Sequence, residues 1–136
     1  MTRPLVLDSG ALVAVERGQR HMAPILADAR AGRATLIVPV AVLAEVWFGG
    51  GPRQAQLARL LSDSSTTVRP LTVAEALAAG ALLHSTPRRA GKGEPRPGAI
   101  DAYVAACARA VDAAAIITSD PDDLAAFKLA IPIIVV

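Results

Sequence analysis

The sequence has 136 residues, with 14 basic and 12 acidic side chains, a net charge of +2 and a pI of about 9.2. This length predicts one domain, 1–136, that buries roughly two thirds of its unfolded surface and therefore needs neither disulfides nor a structural metal. The single cysteine, Cys107, excludes a disulfide scaffold. The sequence shows no charged leader, and no apolar run approaches the roughly 18 residues of a membrane span. We therefore expect a soluble, cytoplasmic protein.

The first half of the chain alternates short apolar runs with longer amphipathic segments. Uninterrupted apolar runs predict buried strands, and apolar residues at helical spacing predict helices. Glycines mark two helix ends, at Gly18 and after the second helix, and Pro39 marks a helix start. In chain order, the predictions are a strand at 4–8, helices at 9–18 and 21–32, a strand at 35–39, and helices at 40–50 and 52–64.

The second half continues the alternation around one irregular segment. A proline-containing run predicts a short edge strand, and a Thr-x-x-Glu capping box, Thr72 to Glu75, starts the next helix. The segment TPRRAGKGEPRPG has no apolar period and is predicted to be a loop. In chain order, the predictions are a strand at 66–71, a helix at 72–85, the loop at 86–98, a helix at 99–113, a strand at 114–118, a helix at 121–128 and a strand at 131–136.

This order of elements predicts the α/β fold class. Strands that alternate with helices, and that are apolar throughout rather than at every second residue, are typical of a parallel sheet covered on both faces. No internal repeat and no second domain are visible in the sequence.

Four of the acidic residues occupy positions that suggest chemistry. Asp8 and Asp120 each follow an apolar strand directly, and the carboxyl ends of parallel strands form the edge at which ligands bind. Glu45 lies within VAVLAEVWF, so we expect it to be partly removed from solvent. Asp101 is in the first turn of its helix, where the helix dipole favours an anion.

Each of these acids also has a purely structural interpretation. Asp8 and Asp120 can be helix N-caps, Asp101 a first-turn acid and Glu45 an exposed residue on a polar stripe. If the protein has no site here, however, all four structural interpretations must be correct at once. The βα order is expected to bring the four carboxylates to one sheet edge. Carboxylates placed close together repel unless a cation is bound between them.

The residue types favour a hard cation at this edge. Mg²⁺ takes oxygen ligands and binds substrate phosphates, and a set of acids without His or Cys suits Mg²⁺ or Mn²⁺ rather than zinc. His21 and His84 have no ligand-like spacing, and we interpret both as surface residues.

At this point the sequence resembles the PIN-domain ribonucleases and, within that family, the VapC-type toxins of bacterial toxin–antitoxin pairs. The matching motifs have the order and spacing of the family over essentially the whole chain. They are VLDSGALVA (6–14), PVAVLAEVWFG (39–49), IDAYVAACA (100–108) and IITSDPDDL (116–124).

The resemblance implies a three-layer α/β/α sandwich with a mostly parallel sheet of four to five strands, and an endoribonuclease that depends on Mg²⁺ or Mn²⁺. It makes four acids the catalytic and metal-binding set: Asp8, Glu45, Asp101 and Asp120. It gives supporting positions to Ser9, Thr118 and Asp123. Position 119 is Ser, where the family commonly has Asn or Arg.

Partners and substrate are also implied by the resemblance. It implies a small antitoxin, for which we predict docking near Trp47, Phe48, Leu57, Leu60 and Leu61. It implies a homodimer as well. From the residues themselves, the low aromatic content of 3% favours structured RNA, such as tRNA or rRNA, held by its backbone. We predict phosphate contacts from the loop residues Arg88, Arg89, Lys92 and Arg96.

One other function is excluded by the positions of the residues, and one remains open. A receiver-like phosphoacceptor needs an acid pair near the first strand and a lysine after a late strand, whereas Asp8 stands alone and Lys128 lies in a predicted helix. A non-catalytic RNA-binding or regulatory domain of the same fold remains the alternative to the nuclease.

Overall fold

The structure is a computed structural model that describes residues 2–87 and 97–136, and it contains five strands and seven α-helices within these ranges. The strands are β1 (Arg3–Leu7), β2 (Ala34–Pro39), β3 (Thr66–Arg69), β4 (Ala115–Thr118) and β5 (Ile133–Val135). The helices are α1 (Ser9–Glu16), α2 (Ala23–Arg30), α3 (Leu43–Val46), α4 (Ala55–Leu61), α5 (Val73–Ser85), α6 (Ala99–Ala110) and α7 (Asp122–Ala125). Short 3₁₀ turns at Arg20–Met22, Val40–Val42 and Pro52–Gln54 precede α2, α3 and α4.

The five strands form one sheet in the order β3-β2-β1-β4-β5, and every neighbouring pair is parallel. The predicted α/β class is therefore confirmed, with five strands and β3 at an edge. The chain fills one side of β1 with β2 and β3 and then crosses to build β4 and β5 on the other side. In open α/β sheets, such a reversal of strand order creates a crevice at the carboxyl ends of the two strands that flank it. In this chain, these strands are β1 and β4.

Both faces of the sheet are covered, as the continuous apolar runs predict. Adjacent residues of β1 point to opposite faces, yet Leu5, Val6 and Leu7 are all at most 1% exposed. Helix α1 contacts α3 and α4, and α6 contacts α5 and α7. Seven consecutive residues of α6, Ala102 to Ala108, are buried, so this helix lies in the core rather than at its margin.

The predicted helix 40–50 is wrong in its second half. The helical segment ends at Val46, and Trp47 already has extended backbone dihedrals. The next residues, Gly49, Gly50 and Gly51, have φ angles of +99°, +78° and +82°, which side chains with a Cβ rarely adopt. The glycines therefore form a turn of their own rather than a cap on a longer helix.

The other elements differ from their predictions mainly at their ends. Helix α5 starts with the predicted capping box, in which Thr72 and Glu75 exchange hydrogen bonds. Most of the predicted loop 86–98 lies outside the described residues. No helix in the described part of the chain is both long and apolar enough to cross a membrane.

Candidate active site

Asp8 lies at the carboxyl end of β1, where the strand turns into α1. Its backbone N–H donates to the carbonyl of Ile117 in β4 at 3.2 Å, which joins the two central strands at this edge. Its side chain caps α1, because Oδ1 accepts from the backbone N–H of Ala11 at 3.1 Å. The hydroxyl of Thr118 also hydrogen-bonds the Asp8 carboxylate. The N-cap interpretation is thus correct, and it places the carboxylate at the crevice.

The residues after β4 form the other wall of the crevice. Thr118 is fully buried, and its hydroxyl accepts from the backbone N–H of Asp120 at 3.0 Å, so it shapes the turn that carries Asp120. The interpretation of Asp120 as an N-cap is wrong: Pro121 is at that position, and no side chain caps α7. Asp120 is exposed instead.

Gly10 permits the close approach of these two walls. A Cβ at Gly10 would lie 2.8 Å from the backbone nitrogen of Ser119, and the Ser119 hydroxyl would be closer still. Any larger residue would push the first turn of α1 away from the end of β4. The sequence alone gives no sign of this requirement, because Gly10 has an ordinary helical backbone.

Asp101 reaches the site from the first turn of α6. Its Oδ2 accepts from the backbone N–H of Gly98 at 2.9 Å, so the carboxylate satisfies a donor at the start of the helix. The first-turn interpretation is therefore correct. The side chain is half-buried, and it interacts electrostatically with the carboxylates of Asp123, Glu45 and Asp120.

Glu45 is the acid whose surroundings differ from the prediction. We expected partial desolvation, but Glu45 is exposed. The apolar neighbours that motivated the expectation lie on other sides of this short segment, with Val42 and Val46 in the core. The Ser9 hydroxyl donates a hydrogen bond to Glu45 Oε1, which fixes the carboxylate beside the first turn of α1.

The electrostatics indicate a concentration of negative charge at this edge. Burial raises the pKa of Asp8, and the charge of Asp101 raises it further, against the hydrogen bonds from Thr118, Ala11 and Gly10. Burial likewise raises the pKa of Asp101, and Asp123, Glu45 and Asp120 add to the effect against the hydrogen bond from Gly98. Asp8, Glu45, Asp120 and Asp123 are thus each within electrostatic reach of Asp101.

The donor set suits a hard cation by its chemistry, since it consists of carboxylate oxygens without histidine or thiolate. Within residues 2–87 and 97–136, however, no three His, Cys, Asp or Glu side chains already converge on a common point. Asp8 and Asp101 are turned towards backbone N–H groups, and Glu45 is turned towards Ser9.

Comparison with known proteins decides the family. A model of the PIN domain matches residues 5–128. The chain belongs to the PIN domain family. None of the curated proteins compared with it gives a match.

Three solved structures share the fold of this PIN domain over nearly its whole length. VapC20 of Mycobacterium tuberculosis, a sarcin–ricin loop cleaving toxin, is 17% identical with a TM-score of 0.65, over 90% of this chain and 94% of that one. VapBC2 of Rickettsia felis, bound to a promoter DNA fragment, is 16% identical with a TM-score of 0.68, over 96% and 97%. FitAcB of Neisseria gonorrhoeae is 15% identical with a TM-score of 0.62, over 95% of each chain.

The residues predicted to bind an antitoxin fall into two groups in this PIN domain. Trp47 and Phe48 are 42% and 65% exposed, and they form an apolar surface next to Glu45. Leu57 and Leu60 are buried in the core, so the part of the prediction that placed them on a docking surface is wrong; Leu61 is partly buried. Helical spacing identifies the apolar face of α4 but not what covers it.

The predicted phosphate-binding residues lie outside the described residues. They are Arg88, Arg89, Lys92 and Arg96.

Proposed function

We propose that this PIN domain is a metal-dependent endoribonuclease toxin of the cytoplasm, which hydrolyses phosphodiester bonds in RNA and is neutralised by a cognate antitoxin. The main support is the position of Asp8 and Asp101. They come from elements 93 residues apart in sequence, and both are half-buried acids with raised pKa values at the crevice between β1 and β4. Half-buried carboxylates whose pKa values are raised by burial and by neighbouring acids destabilise a fold, so their presence favours a role in binding a cation.

The acids would hold Mg²⁺, with Mn²⁺ as the alternative. Asp8 and Asp101 would be the most direct ligands, and Glu45 and Asp120 would complete the set or orient the attacking water. The bound ion would stabilise charge on the scissile phosphate and lower the pKa of a water molecule.

The side chains around the acids have supporting parts in this proposal. The Ser9 hydroxyl holds Glu45 and the Thr118 hydroxyl holds Asp8, so each orients a carboxylate without contacting substrate. Asp123 adds negative charge beside Asp101.

The proposed reaction is an in-line attack of water on the scissile phosphate, opposite the leaving 3′ oxygen. It breaks the P–O3′ bond and leaves a 3′-hydroxyl and a 5′-phosphate.

The proposed substrate is structured RNA such as tRNA or rRNA. Only two of the four aromatic residues, Trp47 and Phe48, are substantially exposed, which leaves little surface for stacking a series of bases. Recognition through the backbone fits this surface better, and Arg88, Arg89, Lys92 and Arg96 are the proposed phosphate contacts. That the similar VapC20 is described as a sarcin–ricin loop cleaving toxin is consistent with this substrate class.

Removal of divalent metal provides the direct test of the enzyme. We expect the purified protein to cut a defined structured RNA in Mg²⁺, to lose this activity in excess EDTA, and to regain it when Mg²⁺ is restored. Sequencing of the RNA ends measures both the site and the chemistry, with 5′-phosphate and 3′-hydroxyl ends expected. Cleavage that persists in EDTA would exclude the metal-dependent mechanism, and metal-independent RNA binding without cleavage would support the non-catalytic alternative.

The proposed antitoxin surface is the exposed pair Trp47 and Phe48, with Leu61 at its margin. Exposed aromatic side chains next to one another are typical of sites that bind an amphipathic segment of a partner. Because Phe48 follows Glu45 by three residues, a segment bound at this surface would also lie close to the acids.

The homodimer is proposed to form through the exposed face of α5. Val73 and Leu77 are 77% and 71% exposed and lie one turn apart, and the nearby Leu71 is 47% exposed. The same face borders an apolar cavity of about 300 Å³, lined by Ala41, Leu71, Ala76, Ala79, Gly80, Leu83, Ala99, Ile100, Ala102 and Tyr103. A surface with both apolar projections and an apolar cavity can bind a second copy of itself across a two-fold axis.

Substitution of Leu77 tests this interface. Leu77→Lys is expected to weaken the dimer by about 2 kcal/mol or more, which is about thirtyfold in its dissociation constant. Sedimentation equilibrium measures this constant, and Val135→Lys, an exposed valine on the edge strand β5, is the control that should leave it unchanged. A wild-type monomer at all concentrations, or an equal effect of the two variants, would contradict the proposed surface.

A further inference from the structure

Gln54 is a fully buried polar side chain that uses its whole hydrogen-bonding capacity. Its Oε1 accepts from the backbone N–H groups of Phe48 at 3.1 Å and Gly50 at 2.9 Å. Its Nε2 donates to the backbone carbonyl of Val46 at 2.8 Å and to Glu16 Oε1 at 2.7 Å. A primary amide has two donor hydrogens and one acceptor oxygen with two lone pairs, so all four positions are used. The side chain is 0% exposed, and no substitution preserves all four contacts.

These four contacts join segments that are far apart in the sequence. Val46 is the last residue of α3 and directly follows Glu45, whereas Glu16 is the last residue of α1. The opposite end of α1 is joined to the same segment by the hydrogen bond from Ser9 to Glu45. Two polar connections, one at each end of α1, therefore hold α1 against the short segment that carries Glu45.

That segment cannot fix its own position. Helix α3 has four residues, which is one turn, and isolated helices of this length are unstable in water. The turn that follows contains three consecutive glycines with positive φ, each of which is conformationally permissive. Its geometry is determined instead by Gln54 and by the Trp47 ring, which lies over Gly50 so that a Cβ there would be 3.2 Å from Cζ2.

We infer that Gln54 is a positioning residue, which fixes the Glu45 carboxylate beside α1 and holds the turn that presents Trp47 and Phe48. The inference rests on the proposed function, in which Glu45 belongs to the metal-binding set and the two aromatic residues bind the antitoxin. Gln54 itself is buried and contacts neither substrate nor partner. It acts through the backbone of residues 46–50 and through Glu16.

Replacement of Gln54 by leucine provides the first test. Gln54→Leu puts an apolar side chain of similar size in the core but leaves the N–H groups of Phe48 and Gly50 without their acceptor. Trp47 is the only tryptophan of the chain, so its fluorescence reports on this turn alone. We expect red-shifted emission and stronger acrylamide quenching, and a kcat for RNA cleavage that is about tenfold or more lower with KM nearly unchanged.

A matched control is available two residues along the chain. Gln56→Leu makes the same change at an exposed position in the first turn of α4, the helix that follows Gln54, and it should alter neither the Trp47 signal nor kcat. An unchanged Trp47 signal in folded Gln54→Leu would overturn the inference. A fluorescence change without an effect on kcat, in an active wild-type enzyme, would overturn the part that concerns Glu45.

An exchange of the two side chains separates positioning from general loss of stability. Gln54→Glu alone places a second carboxylate against Glu16, and we expect it to disturb the turn as much as leucine does. Addition of Glu16→Gln restores a donor and an acceptor across the same pair, but the Val46 carbonyl still lacks its donor, so the double variant should recover only part of the Trp47 signal. A double variant no better than Gln54→Glu would contradict the connection between α1 and the turn.

Fluorescence keeps this inference distinguishable from the proposed function. If the wild-type protein does not cleave RNA, the nuclease proposal fails while the Trp47 measurements still decide whether Gln54 holds the turn. If the wild-type protein cleaves RNA and the variants of Gln54 behave as Gln56→Leu does, the nuclease proposal stands and this inference fails.

Discussion

Asp8→Asn is expected to lower RNA cleavage by about three orders of magnitude while leaving the fold at least as stable as the wild type. An asparagine loses the negative charge that a divalent ion needs, and charge stabilisation by the ion is worth several kcal/mol, with each 1.4 kcal/mol equal to about tenfold in rate. The cap of α1 survives, because Asn accepts the hydrogen bond from Ala11 about as well as Asp does. Single-turnover cleavage and calorimetric titration with Mg²⁺ measure the loss.

The stability of this variant has a definite sign. The pKa of Asp8 is raised in the folded protein, mainly by burial, so the ionised form destabilises the fold above that pKa, and the penalty is relieved as the pH falls through it. In EDTA, Asp8→Asn should therefore unfold at the same or a higher temperature than wild type near neutral pH. The difference should shrink as the pH is lowered through the raised pKa of Asp8 and should vanish below the ordinary pKa of an aspartate.

Asp112→Asn is the matched control for this experiment. Asp112 is exposed and has a φ of +51°, a conformation that asparagine also adopts readily, so the substitution should change neither cleavage nor stability. If Asp8→Asn cuts RNA as fast as wild type, Asp8 is not a metal ligand. If it unfolds instead, the carboxylate is needed for the structure and the charge argument is wrong.

The fold could be predicted from the sequence because its signals are local. Continuous apolar runs such as Leu5 to Leu7 identify strands buried on both faces, and the Thr72–Glu75 capping box marks the start of α5. The order of elements then leaves a parallel sheet as the simplest arrangement. Because parallel strands share a carboxyl edge, the same argument predicts that Asp8 and Asp120 follow their strands at the same edge of the sheet, and β1 and β4 are indeed parallel neighbours.

The burial of individual side chains could not be predicted, because it depends on which elements pack against one another in the folded protein. The neighbours of Glu45 are apolar, but a 3₁₀ turn followed by a single helical turn distributes them over several sides and leaves Glu45 exposed. The leucines of α4 have helical spacing, which is equally consistent with a groove and with the core where Leu57 lies. Gln54 has no periodic signal at all, since its role depends on hydrogen bonds to distant segments.

Glu75→Ala is expected to destabilise the fold by about 2–4 kcal/mol, the largest stability effect that we predict for a polar residue. Glu75 is 4% exposed, and its two carboxylate oxygens have separate partners. Oε1 accepts from Nε and Nη2 of Arg69, both at 2.7 Å, and Oε2 accepts from the backbone N–H and hydroxyl of Thr72 at 3.1 Å. Alanine leaves the Arg69 guanidinium, whose side chain is only 34% exposed, without its counter-charge and breaks the cap of α5.

The pH dependence of this effect has the opposite sign to that of Asp8. Burial acts to raise the pKa of Glu75, but hydrogen bonds from Arg69 and Thr72 outweigh it, and the pKa is lower than usual. The stabilisation is therefore fully present above the ordinary pKa of a glutamate and is lost as the pH falls through the lowered value. Urea unfolding of wild type and Glu75→Ala should consequently converge in acid, whereas the difference should be constant near neutral pH.

Asp28→Ala separates this buried pair from an ordinary surface ion pair. Asp28 accepts from Arg33 at 2.8 Å, which is as close as the pair in question, but the Arg33 side chain is 64% exposed. Solvent screening limits such a pair to less than about 1 kcal/mol. If both variants lose the same free energy of unfolding, burial does not distinguish the two pairs, and the contact between Arg69 and Glu75 does not hold α5 against β3. If only Glu75→Ala lowers the free energy of unfolding, the ion pair between Arg69 and Glu75 holds α5 against β3. Helix α5 is also the helix whose outer face is the proposed dimer surface.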